Sequence, residues 1–530
     1  MATRSADGPA IGAIAWSASL FTLADRFGAR VAIRDGADAS LTYQELALRA
    51  HGLAACLLEQ HQVVPGQPVA TLLPNRISAP VASYGIRLTG AAEVPISWRG
   101  TDEEIQWCAT LSKSRSVVTL AEFAQRIRDL GLEPIVIQSD GRVSDASDKE
   151  RLEPLLPLPA VPGELDGRIL FTSGTTGKPK GVLYSHARRW VGEQMLKASL
   201  PFIPAQGERL ILMTPFIHGS SLLTYAWCDF GGEVVLLDGV QEDKLRDYLP
   251  DSRVAAVFAP PTVLAKLTTL FEDQTFDHVR CVFTGTQPLT PAIFNRAREL
   301  FGPVVRITYG KSECVNPITV LSREETAAYY CAQEVAPGAC VGYPAPGVEI
   351  KIVTPADASD RDEHEDGEVW LRAPQMSLGM ITLDGFAPHE PDGWHQTGDL
   401  GHLDAQGRLV LTGRIADVIK TGGYRVNPDE IESCLTGLGH GVQVSVTSLP
   451  SDYWGEIIIA VAEGAVEGWQ ALAQSHVEPL SKHKRPRAYV SVMALPRNPQ
   501  GKVSRRQVRE LVLSQYELAD GPYPELHPKR

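Results

Sequence analysis

The chain has 530 residues, 44% hydrophobic and 21% charged, the balance of an ordinary globular protein rather than a collagenous, disordered or disulfide-stapled one. Its 50 Lys and Arg against 63 Asp and Glu leave a formal charge of −13, which argues against a nucleic-acid or anionic-membrane surface. No apolar run reaches the ~18 residues of a membrane-spanning helix, so a polytopic membrane protein is excluded.

In chain order, residues 10–23 come first. This mildly apolar stretch is broken by Ser17, Ser19 and Thr22 and lacks a cleavage site, which predicts an amphipathic helix and not a leader. Short β-branched runs follow at 69–73, 169–172, 210–214, 234–237, 254–258, 279–283 and 304–307, with helical patterns at 242–248, 262–271 and 291–300 between the later ones. Strands alternating with helices predict mostly parallel sheets covered by helices. From residue 347 the pattern turns hairpin-like, at 349–353, 368–372 and 409–411, with the acidic run 359–366 as a solvated loop. Residues 415–530 read as a separate compact unit, so the expected division is 1–414 and 415–530. The eight cysteines contain no CxxC pair, which predicts unpaired thiols of a reducing, cytoplasmic compartment and no zinc site. The terminal His-Pro-Lys-Arg carries no peroxisomal or lipidation signal.

The most specific segment is Ile169-Leu-Phe-Thr-Ser-Gly-Thr-Thr-Gly-Lys-Pro-Lys-Gly-Val182. A strand enters a loop in which Gly174 and Gly177 let successive backbone N–H groups wrap an anion without side chains intervening. Thr172, Ser173, Thr175 and Thr176 add hydroxyl donors, and Lys178 and Lys180 add charge, so the predicted ligand is a polyphosphate. The loop is not a Walker loop, because Gly177-Lys178 is followed by Pro179.

This loop resembles the phosphate-binding loop of the adenylate-forming superfamily: acyl- and aryl-CoA ligases, peptide-synthetase adenylation domains and luciferases. Further motifs follow in the family's order. Leu41-Thr-Tyr-Gln-Glu-Leu46 resembles an early core motif, Thr308-Tyr-Gly-Lys-Ser-Glu313 the TYGxTE segment, and Asp392-Gly-Trp-His-Gln-Thr-Gly-Asp399 the DGWxxTGD segment. Gly413-Arg-Ile-Ala-Asp417 and Lys420-Thr-Gly-Gly-Tyr-Arg-Val-Asn-Pro428 resemble the domain junction and the loop after it, and Pro496-Arg-Asn-Pro-Gln-Gly-Lys502 the terminal PRNxxGK.

The resemblance implies an α/β fold: a large N-terminal domain of stacked, mostly parallel sheets with helices and a small distorted β-barrel, then a small mobile α+β domain. It also implies ATP and Mg²⁺, with CoA as a co-substrate. By the same resemblance Glu313 and Thr172 hold Mg²⁺, and Ser312 offers a hydroxyl to the α-phosphate. Tyr309 stacks on adenine, and Thr308, Gly310, Gly285, Thr286 and Gln287 line the nucleotide. Asp399 takes the ribose hydroxyls with Arg414 beside it, and Lys502 reaches the α-phosphate and the carboxylate. His218, in Pro215-Phe-Ile-His-Gly219, gates the acid, with Ser221, Thr284 and Lys311 lining its pocket.

The chemistry explains why such residues are needed. A carboxylate is a poor electrophile and gains a leaving group by attacking the α-phosphate of ATP, so cations must offset anion meeting anion. Four positions in three segments depart from the family pattern. Ala416 stands where a hinge Asp or Lys is usual, with Asp417 next to it. Thr286 and Gln287 replace Gly and Ala, and Lys311 fills a usually neutral place. If Lys311 faces the acid pocket, it suits a small polar anion and excludes long-chain acids; its alternative is facing solvent or pairing with a nearby acid.

No FDxS aspartate is present, which disfavours α-amino acids, and no carrier module is fused. The leading expectation is a carboxylate–CoA ligase. The alternatives are adenylation for a carrier protein or an amine, including nitrite activated for diazotisation of an arylamine, and a non-catalytic nucleotide-binding relative. No nucleic acid and no membrane partner are expected.

Overall fold

The computed structural model describes residues 12–143, 158–172, 179–217, 219–332, 338–354, 366–390, 392–436, 438, 442–465, 467–497 and 502–529. Two large sheets dominate. In the first, five strands run parallel: Asp166–Thr172, Ala92–Ile96, Pro68–Leu72, Ser116–Leu120 and Glu133–Ile137, with antiparallel Lys180–Ser185 and the hairpin Gly379–Thr382/Gly385–Pro388 extending one edge. In the second, Val305–Lys311, Cys281–Gly285, Val254–Phe258, Arg209–Leu212, Glu233–Leu236 and Val31–Asp35 form a parallel core. Most positions of these strands are buried, as expected of parallel sheets covered on both faces.

The second sheet continues antiparallel through Cys314–Leu321, Ala339–Pro344, Leu409–Arg414, His395–Leu403, Gly367–Arg372 and Glu349–Val353. The last two pair Glu349 with Arg372 through Val353 with Glu368, the hairpin the sequence predicts; residues 355–365 of its acidic loop lie outside the described residues.

The first described helix is Trp16–Phe27, shifted toward the C-terminus from the predicted 10–23; residues 1–11 lie outside the described residues. Leu41-Thr-Tyr-Gln-Glu-Leu46 proves to be a helix start. Thr42 Oγ1 accepts from Glu45 N (3.2 Å) and the Glu45 carboxylate accepts from Thr42 N (2.8 Å), a capping box that contributes about 1 kcal/mol to the helix Tyr43–Glu59.

The helix His186–Ala198 runs from the end of the Lys180–Ser185 strand and packs on Cys314–Leu321. A Cβ at Gly192 would come within 2.3 Å of Val315, so glycine lets helix and strand approach closely.

Beyond Arg414 a single-turn helix, Ile415–Asp417, leads into a separate sheet of Ile419–Thr421, Tyr424–Val426, Gln443–Ser451, Gly455–Glu463 and Ala488–Val492. Helices Pro428–Cys434, Trp469–Val477 and Arg505–Gln515 cover it around two apolar clusters made only of residues from Ile419 onward. All eight cysteines are free, six of them buried. Among the described residues no helix is long and apolar enough to cross a membrane.

Candidate active site

The strand Asp166–Thr172 ends on Thr172, which sits opposite Lys180 in an antiparallel pair. The glycine-rich segment is thus the connection of a hairpin. Ser173, Gly174, Thr175, Thr176, Gly177 and Lys178 lie outside the described residues, as does His218.

A second element of the site is the turn after Val305–Lys311. Lys311 pairs with Cys314 across the ladder, which leaves Ser312 and Glu313 at the tip of a tight turn. Two bonds fix that tip from behind: the buried Tyr184 hydroxyl donates to Ser312 O (2.6 Å), and Ser377 N donates to Glu313 O (2.8 Å). The half-buried Glu313 carboxylate takes no hydrogen bond or ion pair from any described residue. A hard cation prefers such an oxygen donor, and the Thr172 hydroxyl at the end of its strand is a second one, so the residue types present fit Mg²⁺. Thr308 Oγ1 accepts from Asn316 Nδ2 (3.2 Å), and Gly310 lies against the same Asn316 side chain.

Asp399 is the electrostatic centre and is 4% exposed. It lies opposite Arg414 in the ladder, and Arg414 Nε is 3.1 Å from its Oδ1. Its Oδ2 takes the Tyr309 hydroxyl and the Lys311 ammonium, the latter at 3.1 Å. Lys311 also donates to Thr397 O at 2.8 Å. Burial pushes the Asp399 carboxyl up, but Lys311, Arg414 and Tyr309 together hold it below the usual carboxylate range. Burial and the adjoining Asp399 push the Tyr309 phenol well up, so it stays a donor. The Tyr309 ring is 8% exposed and belongs to the apolar core beneath the sheet.

Lys311 is therefore placed at Asp399, the pairing alternative of the two sequence readings. Its charge is committed to the residue expected to take ribose and is not a lone cation in an acid pocket.

Lys502 arrives from the C-terminal unit. Its ammonium donates to Thr286 O at 2.6 Å, across 216 residues of sequence. Burial, then the repulsion of Arg414 and Lys311, lower its pKa to about 8 against the opposing pull of Asp399. The Gly285-Thr286 turn that receives it is sterically set. A Cβ at Gly285 would lie 2.3 Å from Thr308 O, and Thr286 itself has a φ of +71°, in the left-handed region that favours glycine. Gln287 is half-buried beside it.

The residues expected around the acid behave differently. Ser221 is fully buried and accepts from Arg168 Nη1 (3.1 Å), while Arg168 Nη2 donates to Ile217 O (3.2 Å), immediately before His218. Arg168 is held by Glu93, its register partner on the neighbouring parallel strand, with Nε 3.6 Å from the carboxylate. Thr284 is 1% exposed with its Oγ1 unpartnered, placed beside Ile307 rather than beside Ser221.

Several residues of the site were not singled out in the sequence. Tyr184 and Arg168 are register partners on adjacent strands, and a polar residue inside an apolar run was the available signal. The His389 and His395 rings meet edge-on with centroids 5.1 Å apart and pKa values lowered to about 4, chiefly by burial, so both are neutral near pH 7. His395 lies inside the DGWHQTGD segment. Arg505 binds Asp417 (2.8 Å), Asp429 and Glu432, and so ties the single-turn helix after Arg414 to the C-terminal unit.

Known proteins carry the same plan. Residues 20–380 match the family described as AMP-binding enzyme. A 4-chlorobenzoate–CoA ligase of an Arthrobacter species is 30% identical over 519 residues, spanning 92% of each chain. A long-chain-fatty-acid–CoA ligase of Mycobacterium tuberculosis is 27% identical and spans 90% of this chain and 94% of its own. The crystal structure of ATP-bound MatB from Rhodopseudomonas palustris superposes with a TM-score of 0.78 at 25% identity, covering 93% of this chain and 98% of that one. The chain belongs to the AMP-binding, adenylate-forming family of ligases.

Proposed function

We propose that the protein activates a carboxylic acid as its acyl-adenylate and then transfers the acyl group to the thiol of CoA. A carboxylate oxygen of the acid attacks the α-phosphorus of ATP, the bond to the β-phosphate oxygen breaks, and pyrophosphate leaves. In the second step the thiol sulfur attacks the acyl carbonyl carbon, AMP departs with the carboxylate oxygen, and the thiol proton is lost. The observation that carries this reading is the meeting of Lys502 with Thr286 O beside the Asp399–Arg414 pair, which joins a cation from the C-terminal unit to the nucleotide-side residues of the large domain.

In this reading Asp399 and Arg414 orient the ribose, and the turn at Ser312 and Glu313 faces the phosphates. The Lys502 ammonium balances charge as the two anions approach. Mg²⁺, held by Glu313 and Thr172, would supply further neutralisation of the phosphate oxygens. Residues from 415 onward act as the mobile domain, so Lys502 leaves when the thiol must enter. The CoA reading draws on relatives that are named CoA ligases and match nearly end to end.

A second reading, a small polar acid passed to an amine or a carrier protein, nitrite included, is favoured by one observation. The buried Arg168 guanidinium and Ser221 lie where the acid pocket is expected, immediately beside the His218 position. Its other premise, a Lys311 cation in that pocket, is withdrawn, because Lys311 lies on Asp399.

The test is pyrophosphate exchange into ATP with benzoate, 4-chlorobenzoate, octanoate and nitrite, followed by CoA or an arylamine as acceptor. Exchange with an aryl or alkyl acid and consumption of CoA support the first reading. Exchange with nitrite alone replaces it by the second, and no exchange with any acid makes the chain a non-catalytic relative.

A further inference from the structure

Asp399 carries more donors than a ribose-binding carboxylate can hold while also serving two hydroxyls. An ionised carboxylate offers about four lone-pair sites. Tyr309 and Lys311 both occupy Oδ2, while Oδ1 carries Arg414 alone. Lys311, at 13% exposure, spends one N–H on Thr397 O and one on Asp399, and its remaining N–H has no partner among the described residues. Tyr309 and Lys311 flank Gly310 at an irregularity of the strand, and both side chains reach Asp399 Oδ2.

We propose that Lys311 is a ribose-reading residue. One hydroxyl of the nucleotide's ribose donates to Asp399 Oδ1, and the other accepts from the Lys311 ammonium, so the diol is held by an acceptor–donor pair and not by a carboxylate alone. The proposal rests on the assignment of Asp399 to the ribose, and it gives Lys311 a role on the nucleotide, not on the acid.

The packing supports the assignment. Thr397 O and Asp399 fix the ammonium from two sides, so it is ordered before any nucleotide arrives. A fixed donor costs little further entropy on binding. The neighbouring His395 is neutral and does not compete for the carboxylate. Lys502 bonds Thr286 O, whereas Lys311 bonds Thr397 O and Asp399, so the two lysines make different contacts.

The experiment measures binding of Mg·ATP, 2′-deoxy-ATP and 3′-deoxy-ATP to the full chain by calorimetry, which needs no knowledge of the acid. Wild type should prefer ATP over both analogues. In Lys311→Met the preference over one analogue should collapse by about tenfold or more, the loss of a charge-assisted hydrogen bond, while the preference over the other stays. Lys311→Arg, which keeps a charged donor, should retain both preferences.

A Lys311 that only buttresses Asp399 would weaken all three ligands in Lys311→Met by one common factor; that result, or no change at all, overturns the proposal. If Lys311→Met does not fold, as judged by circular dichroism and melting, Lys311→Gln gives the same reading at smaller amplitude. Wild-type preferences that persist in Asp399→Asn would instead show that the ribose assignment of Asp399 is wrong, whatever Lys311 does.

Discussion

Two charge clusters flank the junction at Arg414, and they are near mirror images. At Asp399 one carboxylate meets two bonded cations, Lys311 and Arg414, with Lys502 within their field. At Arg505 one guanidinium meets three carboxylates, Asp417, Asp429 and Glu432. The first cluster holds surplus positive charge, with one ammonium depressed by its neighbours, which is the condition of a site built to receive an anion. The second is saturated by its own chain: the guanidinium spends Nε and both Nη nitrogens on the acids, and its pKa is raised well above the ordinary value. Like residues at neighbouring places thus serve opposite ends. In the proposed function the first cluster receives the nucleotide, while the second pins the linking turn to the C-terminal unit.

The largest expected effect breaks the first cluster at Lys502, the cation proposed for catalysis. Lys502→Ala should lower adenylation by roughly 10²–10³, or ~2.7–4 kcal/mol of transition-state stabilisation, without altering the melting curve. The measurement is pyrophosphate exchange with the best acid found; near-normal exchange would remove Lys502 from the chemistry. Breaking the second cluster should have the opposite character. Arg505→Met leaves three acids facing one another and should cost the C-terminal unit roughly 3 kcal/mol, the low end for breaking a buried pair because these groups keep some solvent. Denaturant melting reads that loss, whereas ATP binding by the large domain should change little. If Arg505→Met weakened ATP binding as strongly as stability, the division of labour between the clusters would be lost.

A smaller effect sharpens the contrast. Asp399→Ala should weaken ATP binding by roughly 1.5–3 kcal/mol, the worth of hydrogen bonds to a charged acceptor, and leave the order of acid preference unchanged. Calorimetry with ATP and an exchange assay over the acid panel separate the two. A changed acid preference at constant ATP affinity would place Asp399 on the acid instead.

Much of the first cluster was legible in the sequence because its members sit inside dense motifs, where strand, turn and polar residues coincide. Tyr309, Asp399, Arg414 and Lys502 are separated by up to 193 positions, yet each lies in a segment whose chemistry names its partner class. The partner of Lys311 was not legible from the motif alone. The strand is irregular between Tyr309 and Lys311, and that both side chains meet Asp399 is a fact of the antiparallel ladder formed by residues 395–414. The Arg505 cluster was not legible either: its acids are 73 to 88 positions away and belong to no shared pattern. Burial of Arg168 against Glu93 follows from strand register, which composition does not specify.

The smallest effect concerns pH and reports how closely the first cluster is coupled. Lys502 has its pKa lowered to about 8, so in the free enzyme its charge is present below that pH and is lost as pH rises through it. Adenylation needs the ammonium, so kcat/KM for ATP should fall on the alkaline side of about pH 8, approaching tenfold per unit. Arg414 is the largest repulsive neighbour after burial itself, and its side chain is 61% exposed, so water screens much of its influence. Arg414→Gln should therefore move the alkaline limb upward by only a fraction of a pH unit, toward the ordinary lysine value, while Asp399→Asn should move it downward because an attractive charge is lost. The position of the limb, and not the height of the plateau, is the readout, since both substitutions also weaken nucleotide binding. A limb that stays fixed in both variants would mean that burial alone sets the Lys502 proton, and that the surplus charge around Asp399 acts on the nucleotide without tuning the lysine.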